Sequence, residues 1–219
     1  MSLVTSPLTT LVRRPAIAIV DEAAGQHLPS YVTRDQARAI INNAETTMHR
    51  LLLETLWQSG GRVTEILRLR PVDLVEAEGA LRLTNLKQRR RGQKHKLVYV
   101  SPDLLSQLRQ FASSARLHPT DAFFRSRESG TAPMSYEQCW RLVRRYGMLA
   151  GVTVVGADGQ LRPPNGRDFR HGAAVHQVRQ GIPLSEVQQQ LGHARIDTTS
   201  IYTKLANPER RAMADRVEW

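Results

Sequence analysis

The sequence predicts a mainly α-helical domain with a small antiparallel β-sheet, an α+β arrangement. Helix-start signals stand ahead of three stretches whose apolar residues recur at helical intervals. Two short runs rich in Leu, Val and Tyr flank a polar, basic insert, as a β-hairpin would be written. With 219 residues, 41% of them hydrophobic, the chain is long enough to bury a sizeable core.

The first thirty residues contain three prolines and no sustained periodicity, so residues 1–30 are expected to be an arm or tail without a fold. Thr33 stands three residues before Gln36, the spacing of a capping box, and opens the helical stretch DQARAIINNA. In AETTMHRLLLETLWQSGGRVTEILRLR, apolar residues at 51, 52, 56, 63, 66, 67 and 69 predict two helices broken at Gly60 and Gly61. GALRLTNL and KLVYVS predict strands of a two- or three-stranded sheet around the tip KQRRRGQKH.

Ser101 and Pro102 supply an N-cap and a first-turn proline for DLLSQLRQFASSAR, and Ser135 with Gln138 opens YEQCWRLVRRYGMLAG. GADGQLRPPNG is expected to be a loop. RDFRHGAAVHQVRQG, PLSEVQQQLGH and DTTSIYTKL then predict three short helices, giving a main domain over 31–206 and a tail over 207–219.

Lys and Arg total 31 against 20 Asp and Glu, a formal charge of +11, which points to a polyanionic partner, nucleic acid before all others. No apolar run of membrane-spanning length and no secretory leader pattern is present, so no membrane partner is expected. The single cysteine, Cys139, has no partner for a disulfide and no metal-spaced neighbours; beside Trp140 it is expected to be a buried small hydrophobe, and the compartment reducing.

Breaking a phosphodiester needs a nucleophile, cations for the charge that gathers on the non-bridging oxygens, and an acid for the leaving oxygen. A single Arg or Lys is ordinarily a solvated charge or a phosphate anchor, so only a combination argues for chemistry. GGRVTEILRL, a hairpin lysine, RDFRHGAA, QQLGH and IDTTSIYTK occur here in that order. Together they resemble the catalytic domain of the tyrosine recombinases, the phage-integrase family, over roughly residues 30 to 208.

The resemblance implies the tyrosine-recombinase catalytic-domain fold and site-specific DNA cleavage and rejoining through a 3′-phosphotyrosyl link. Tyr202 would be the nucleophile, Arg62 and Arg170 the clamp on the scissile phosphate, and His193 a hydrogen-bond donor to it. Glu65, one turn after Arg62, would hold its guanidinium, unless it forms a plain surface pair. Lys87 best matches the lysine that protonates the leaving 5′ oxygen, with Lys94 and Lys96 as alternatives. Arg89, Arg90 and Arg91, with Lys94 and Lys96, would meet the DNA backbone. Two arginines would do what a two-metal site does elsewhere, so neither metal nor cofactor is expected.

One position departs from the family pattern. Arg167 stands where the family most often has histidine; it can hydrogen-bond a phosphate but cannot exchange a proton near neutral pH. His171, next to Arg170, is either a structural hydrogen-bonder or a replacement base, and His176 is expected to be structural. The resemblance further implies double-stranded DNA as partner, four protomers on two paired sites, accessory proteins, and residence in a cytoplasm or nucleoid. Family members usually carry an N-terminal helical domain, here replaced by about thirty residues, as in a short member or an isolated catalytic domain. The tail LANPERRAMADRVEW would dock on a neighbouring protomer or fold back. A catalytically weak or inactive recombinase-derived DNA-binding protein, a plain basic or architectural DNA-binding protein, and a type IB topoisomerase are the rival readings.

Overall fold

The computed structural model describes residues 20–21, 26–27, 29–84, 95–126, 130, 132–192 and 202–203. The expected class holds: the described residues form seven α-helices and three small antiparallel sheets. Lys87, Arg89, Arg90, Arg91, Lys94 and His193 lie outside the described residues, as do the tail over 207–219 and most of the last expected helix.

The local start signals work as written. Helix α1 (Arg34–Asn42) opens on a reciprocal cap, Gln36 N–H donating to Thr33 Oγ1 at 3.3 Å and Thr33 N–H to Gln36 Oε1 at 2.8 Å. Ser101 Oγ accepts from Leu104 N–H at 3.2 Å to start α4 (Pro102–Ser114), and Ser135 with Gln138 repeats the reciprocal cap at α5 (Tyr136–Leu149). Such caps contribute about 1 kcal/mol each by satisfying orphan N–H groups.

Helix α2 (Thr47–Ser59) is the central element. Leu51, Leu52, Leu53 and Leu56 are all buried, apolar on more than one face as befits a helix surrounded by others. It ends where the sequence predicts, at Gly60, whose left-handed φ of +57° disfavours any side chain, and where a Cβ would lie 3.0 Å from Leu191 Cδ2. One turn, α3 (Val63–Ile66), follows, and Ile66, Leu67 and Leu69 pack into the main core with Leu81, Phe123 and Phe169.

Two short antiparallel ladders differ from expectation. Val20–Asp21 (β1) pairs with Gln26–His27 (β2) inside the arm expected to be unfolded, and Val154–Val155 (β6), just before the expected loop, pairs with Leu161–Arg162 (β7) within it. Two-residue strands are too short to carry alternation, so the sequence holds no periodic signal for them. The larger sheet is three-stranded, β3 (Leu74–Val75), β4 (Ala80–Thr84) and β5 (His95–Tyr99), in sequential antiparallel order. Its register sets Leu83 opposite Lys96 and Leu81 opposite Val98, so Lys96 and Val98 face inward while Leu97 and Tyr99 face outward.

Helices α6 (Gly166–Arg179) and α7 (Leu184–Leu191) close the domain. The Asn165 side chain accepts from the N–H groups of Arg167 and Asp168 at the start of α6. Gly172 lets α6 reach the strand of chain before α1: a Cβ there would collide with the Val32 carbonyl. Ala174, Val175, Val187, Leu191 and Tyr202 form a second buried cluster, beside Tyr31 and Val178. Cys139 is fully buried in the main core, which pushes its thiol up to about 12. His176 stacks on Trp57 with ring centroids 5.7 Å apart. Among the described residues no helix is long and apolar enough to cross a membrane.

Candidate active site

The site forms where the turn after α2 meets the C-terminus of α7. The last carbonyls of a helix have no partner within it and carry the negative end of its dipole, so cations are favoured there. Three converge. Lys96 Nζ donates to the carbonyls of Gln190 at 2.9 Å and Leu191 at 3.1 Å, Arg170 Nη2 to Leu191 at 2.8 Å, and Arg62 Nη2 to Gly192 at 3.3 Å. Gly192 takes a left-handed φ of +68° and ends the helix, which presents these carbonyls to the cations.

Arg62 stands at the N-terminus of α3. Its Nη1 donates to Glu65 Oε1 at 2.7 Å and its backbone N–H to Glu65 Oε2 at 3.1 Å. The Glu65 side chain is fully buried, so the pair is no surface i, i+3 bridge. Lys96 reaches the other side of the same carboxylate at 3.2 Å. Burial alone would raise the Glu65 pKa, but the Lys96 charge and the Arg62 hydrogen bonds outweigh it and hold the carboxyl below its ordinary value. Burial pulls Lys96 down to about 8, opposed by Glu65 and reinforced by the Arg170 and Arg62 charges.

Arg170 lies on α6 and is nearly buried, its Nη1 donating to the Gly60 carbonyl at 2.8 Å. The left-handed turn at Gly60 therefore does two things: it ends α2 and aims a carbonyl at this guanidinium. Burial, then the charge of Arg62, lowers Arg170 to about 10, still a cation at neutral pH. Its neighbour His171 places Nδ1 2.9 Å from Tyr202 Oη, with the rings 5.7 Å apart. Burial, together with the charges of Arg170 and Arg167 and against that of Asp168, lowers His171 to about 4, so the imidazole is neutral. Tyr202 is 1% exposed; burial raises its phenol above the ordinary value, against the pull of the Arg170 charge.

The structure thus brings together Arg62, Glu65, Arg170, His171 and Tyr202. Arg167 is exposed on the first turn of α6. Lys96 differs from the sequence expectation: instead of facing outward from a DNA-binding hairpin, it turns inward at 9% exposure and bonds Glu65. Its parity with the apolar Val98, two residues on, is the signal that a strand reading offers for this. The sequence reading also missed Asp168, 1% exposed, whose carboxylate accepts from Arg162 Nη1 at 2.7 Å, Ser30 Oγ at 2.6 Å and the Asn165 N–H at 2.7 Å. That network fixes the first turn of α6, and so the helix that carries Arg167, Arg170 and His171. Among the described residues, no group of three or more His, Cys, Asp or Glu is placed to hold a metal ion.

The chain is similar to known proteins in sequence and in fold. The model of the phage integrase family matches residues 30–209. Tyrosine recombinase XerA of Pyrococcus horikoshii is 26% identical over 191 residues, covering 87% of this chain and 62% of the relative. Tyrosine recombinase XerD of Chlorobaculum tepidum is 29% identical over 218 residues, covering 93% and 66%. The chain thus spans about two thirds or slightly less of the length of these relatives. Among solved structures, a XerA recombinase superposes with a TM-score of 0.71 at 24% identity, covering 90% of this chain and 68% of that one. XerH bound to its palindromic difH substrate after cleavage gives 0.70 at 21%, covering 90% and 55%. With the family match spanning most of the domain, the chain belongs to the phage integrase family of tyrosine recombinases.

Proposed function

We propose that this chain is a tyrosine-type site-specific recombinase: it cuts a DNA strand with Tyr202, holds it as a 3′-phosphotyrosyl link and rejoins it to another 5′ hydroxyl, without metal or ATP. The observation that carries the reading is a convergence: Arg62 and Arg170 reach consecutive carbonyls at the end of α7, and the Arg170 charge acts on the Tyr202 phenol. Two planar guanidinium forks beside a tyrosine suit an in-line displacement at a phosphodiester.

Arg62 and Arg170 grip the non-bridging oxygens, Glu65 orients Arg62, and His193 donates a further hydrogen bond. Lys87 protonates the leaving 5′ oxygen. Arg89, Arg90, Arg91 and Lys94 meet the backbone of the duplex, Arg167 adds a phosphate contact from the exposed face of α6, and Lys96 holds Glu65 and α7 together. The covalent phosphotyrosine conserves the phosphodiester's energy, which is why religation needs no ATP.

The partner is double-stranded DNA, in support of which stand the net charge of +11 and relatives solved on DNA. The assembly is four protomers around two sites, with residues 31–206 as the catalytic domain, residues 1–30 as an arm, the tail over 207–219 docking on a neighbour, and accessory proteins directing the outcome. A single buried cysteine supports residence in a reducing cytoplasm or nucleoid. A second reading, binding without cutting, is favoured by Arg167, which cannot carry a proton away from Tyr202.

The test is a set of duplexes bearing the site that the chain selects from a random-sequence library, nicked at successive positions so that cleavage is trapped. A covalent adduct on a denaturing gel, absent with Tyr202→Phe, is expected. Specific binding with no adduct at any nick would establish the second reading instead.

A further inference from the structure

Resting on that reading, we propose that His171 is the proton acceptor for Tyr202 in cleavage and the proton donor to it in religation. Nδ1 of His171 lies 2.9 Å from Tyr202 Oη, the atom that must lose its proton as it bonds to phosphorus, and this is the reach a general base requires. Arg167 is the other nearby candidate on α6, but a guanidinium holds its proton across the physiological range. A neutral imidazole protonated on Nε2 leaves the Nδ1 lone pair free to take the phenolic proton.

The surroundings suit a base that works only when phosphorus is attacked. At rest burial keeps the imidazole neutral and the phenol protonated, so no phenolate waits exposed to side reactions. As the Tyr202 Oη–P bond forms, the phenol becomes far more acidic and its proton passes to His171 Nδ1; the P–O5′ bond breaks and O5′ takes a proton from Lys87. In religation the 5′ hydroxyl attacks phosphorus and returns its proton to Lys87. The Oη–P bond breaks, and the departing phenolate recovers its proton from the His171 imidazolium. Burial, with the charges of Arg170 and Arg167 and against that of Asp168, makes that imidazolium a stronger acid than a free one and drives the proton back.

A structural hydrogen bond and a base separate in two variants. His171→Asn puts an amide near the Nδ1 position, able to keep a hydrogen bond to Oη but unable to accept a proton. His171→Ala opens a space that free imidazole can enter. On the nicked duplexes above, under single-turnover conditions, adduct formation by H171N is expected to fall about 100-fold or more. DNA affinity and melting temperature should stay near wild type, and imidazole added to H171A should restore cleavage in proportion to its neutral form. Adduct formation by H171N within about threefold of wild type overturns the proposal and leaves the recombinase reading intact. A wild-type chain that binds its selected site but forms no Tyr202-dependent adduct sinks the reading itself, and this proposal with it.

Discussion

In one half of the site Arg62 is matched by a buried carboxylate, Glu65, which also holds Lys96; in the other half, among the described residues, Arg170 donates to the carbonyls of Gly60 and Leu191. In the first half a buried carboxylate shared by two cations is in place before any ligand arrives. The second keeps a nearly buried cation that, among the described residues, bonds no carboxylate and stands next to the phenol that the proposed reaction makes an anion. The contrast teaches that one arginine is fixed in place while the other retains most of its unspent attraction for a phosphate.

The largest effect that sharpens this contrast is at the nucleophile. Tyr202→Phe removes one hydroxyl from a packed ring and should abolish the covalent adduct while leaving DNA affinity within a few-fold, read by gel and by fluorescence anisotropy. Next, Arg170→Ala should slow cleavage about 100- to 1000-fold with a much smaller loss of binding. If binding falls as far as cleavage, Arg170 is an ordinary phosphate anchor and the two halves do not differ as described.

Glu65→Gln acts on the half that holds the carboxylate. It strands two cations around a neutral amide, and a loss of about 3 kcal/mol in urea melts is expected, from the cost of breaking a buried ion pair. A smaller loss would mean that water reaches the pair.

Acidification sharpens the other half. The His171 pKa is about 4 in the fold against an ordinary 6.5, so between those values the unfolded chain binds the extra proton and the folded one does not. Stability should therefore be fully present above pH 6.5 and fall as pH drops toward 4. H171N should flatten that part of the curve, measured by denaturant melts across the range. The Glu65 carboxyl, held low, adds a loss at still more acid pH that E65Q removes. The smallest effect is in the basic segment between β4 and β5: Arg90→Ala should weaken binding to all sequences alike and reduce the salt slope by about one.

Much of the scaffold was legible because its signals are local. The caps at Thr33, Ser101 and Ser135 each need only a side chain and an N–H three residues on, and the break at Gly60 needs only one left-handed residue. The order of Arg62, Glu65, Arg170 and Tyr202 was legible through family resemblance, since nothing local tells a site arginine from a surface one. What escaped was set by distance in sequence. Lys96 meets Gln190 across 94 positions and Ser30 meets Asp168 across 138, and no periodicity encodes such pairs. In β5 the outward Leu97 and Tyr99 and inward Lys96 invert the usual apolar-in pattern, so one of the five residues expected to meet DNA is part of the interior.

The carbonyls at the end of α7 give this site the character of an exchange. Arg62, Arg170 and Lys96 already donate to the backbone of Gln190, Leu191 and Gly192, so an arriving phosphate displaces one set of oxygens rather than meeting bare cations. A singly charged diester gains little over a helix terminus that carries roughly half a negative charge. A five-coordinate phosphorus with a second charge on its oxygens gains much more. On the proposed function, the helix end would act as a competitor that weakens the grip on substrate and product alike, and would leave the transition state as the tightest ligand.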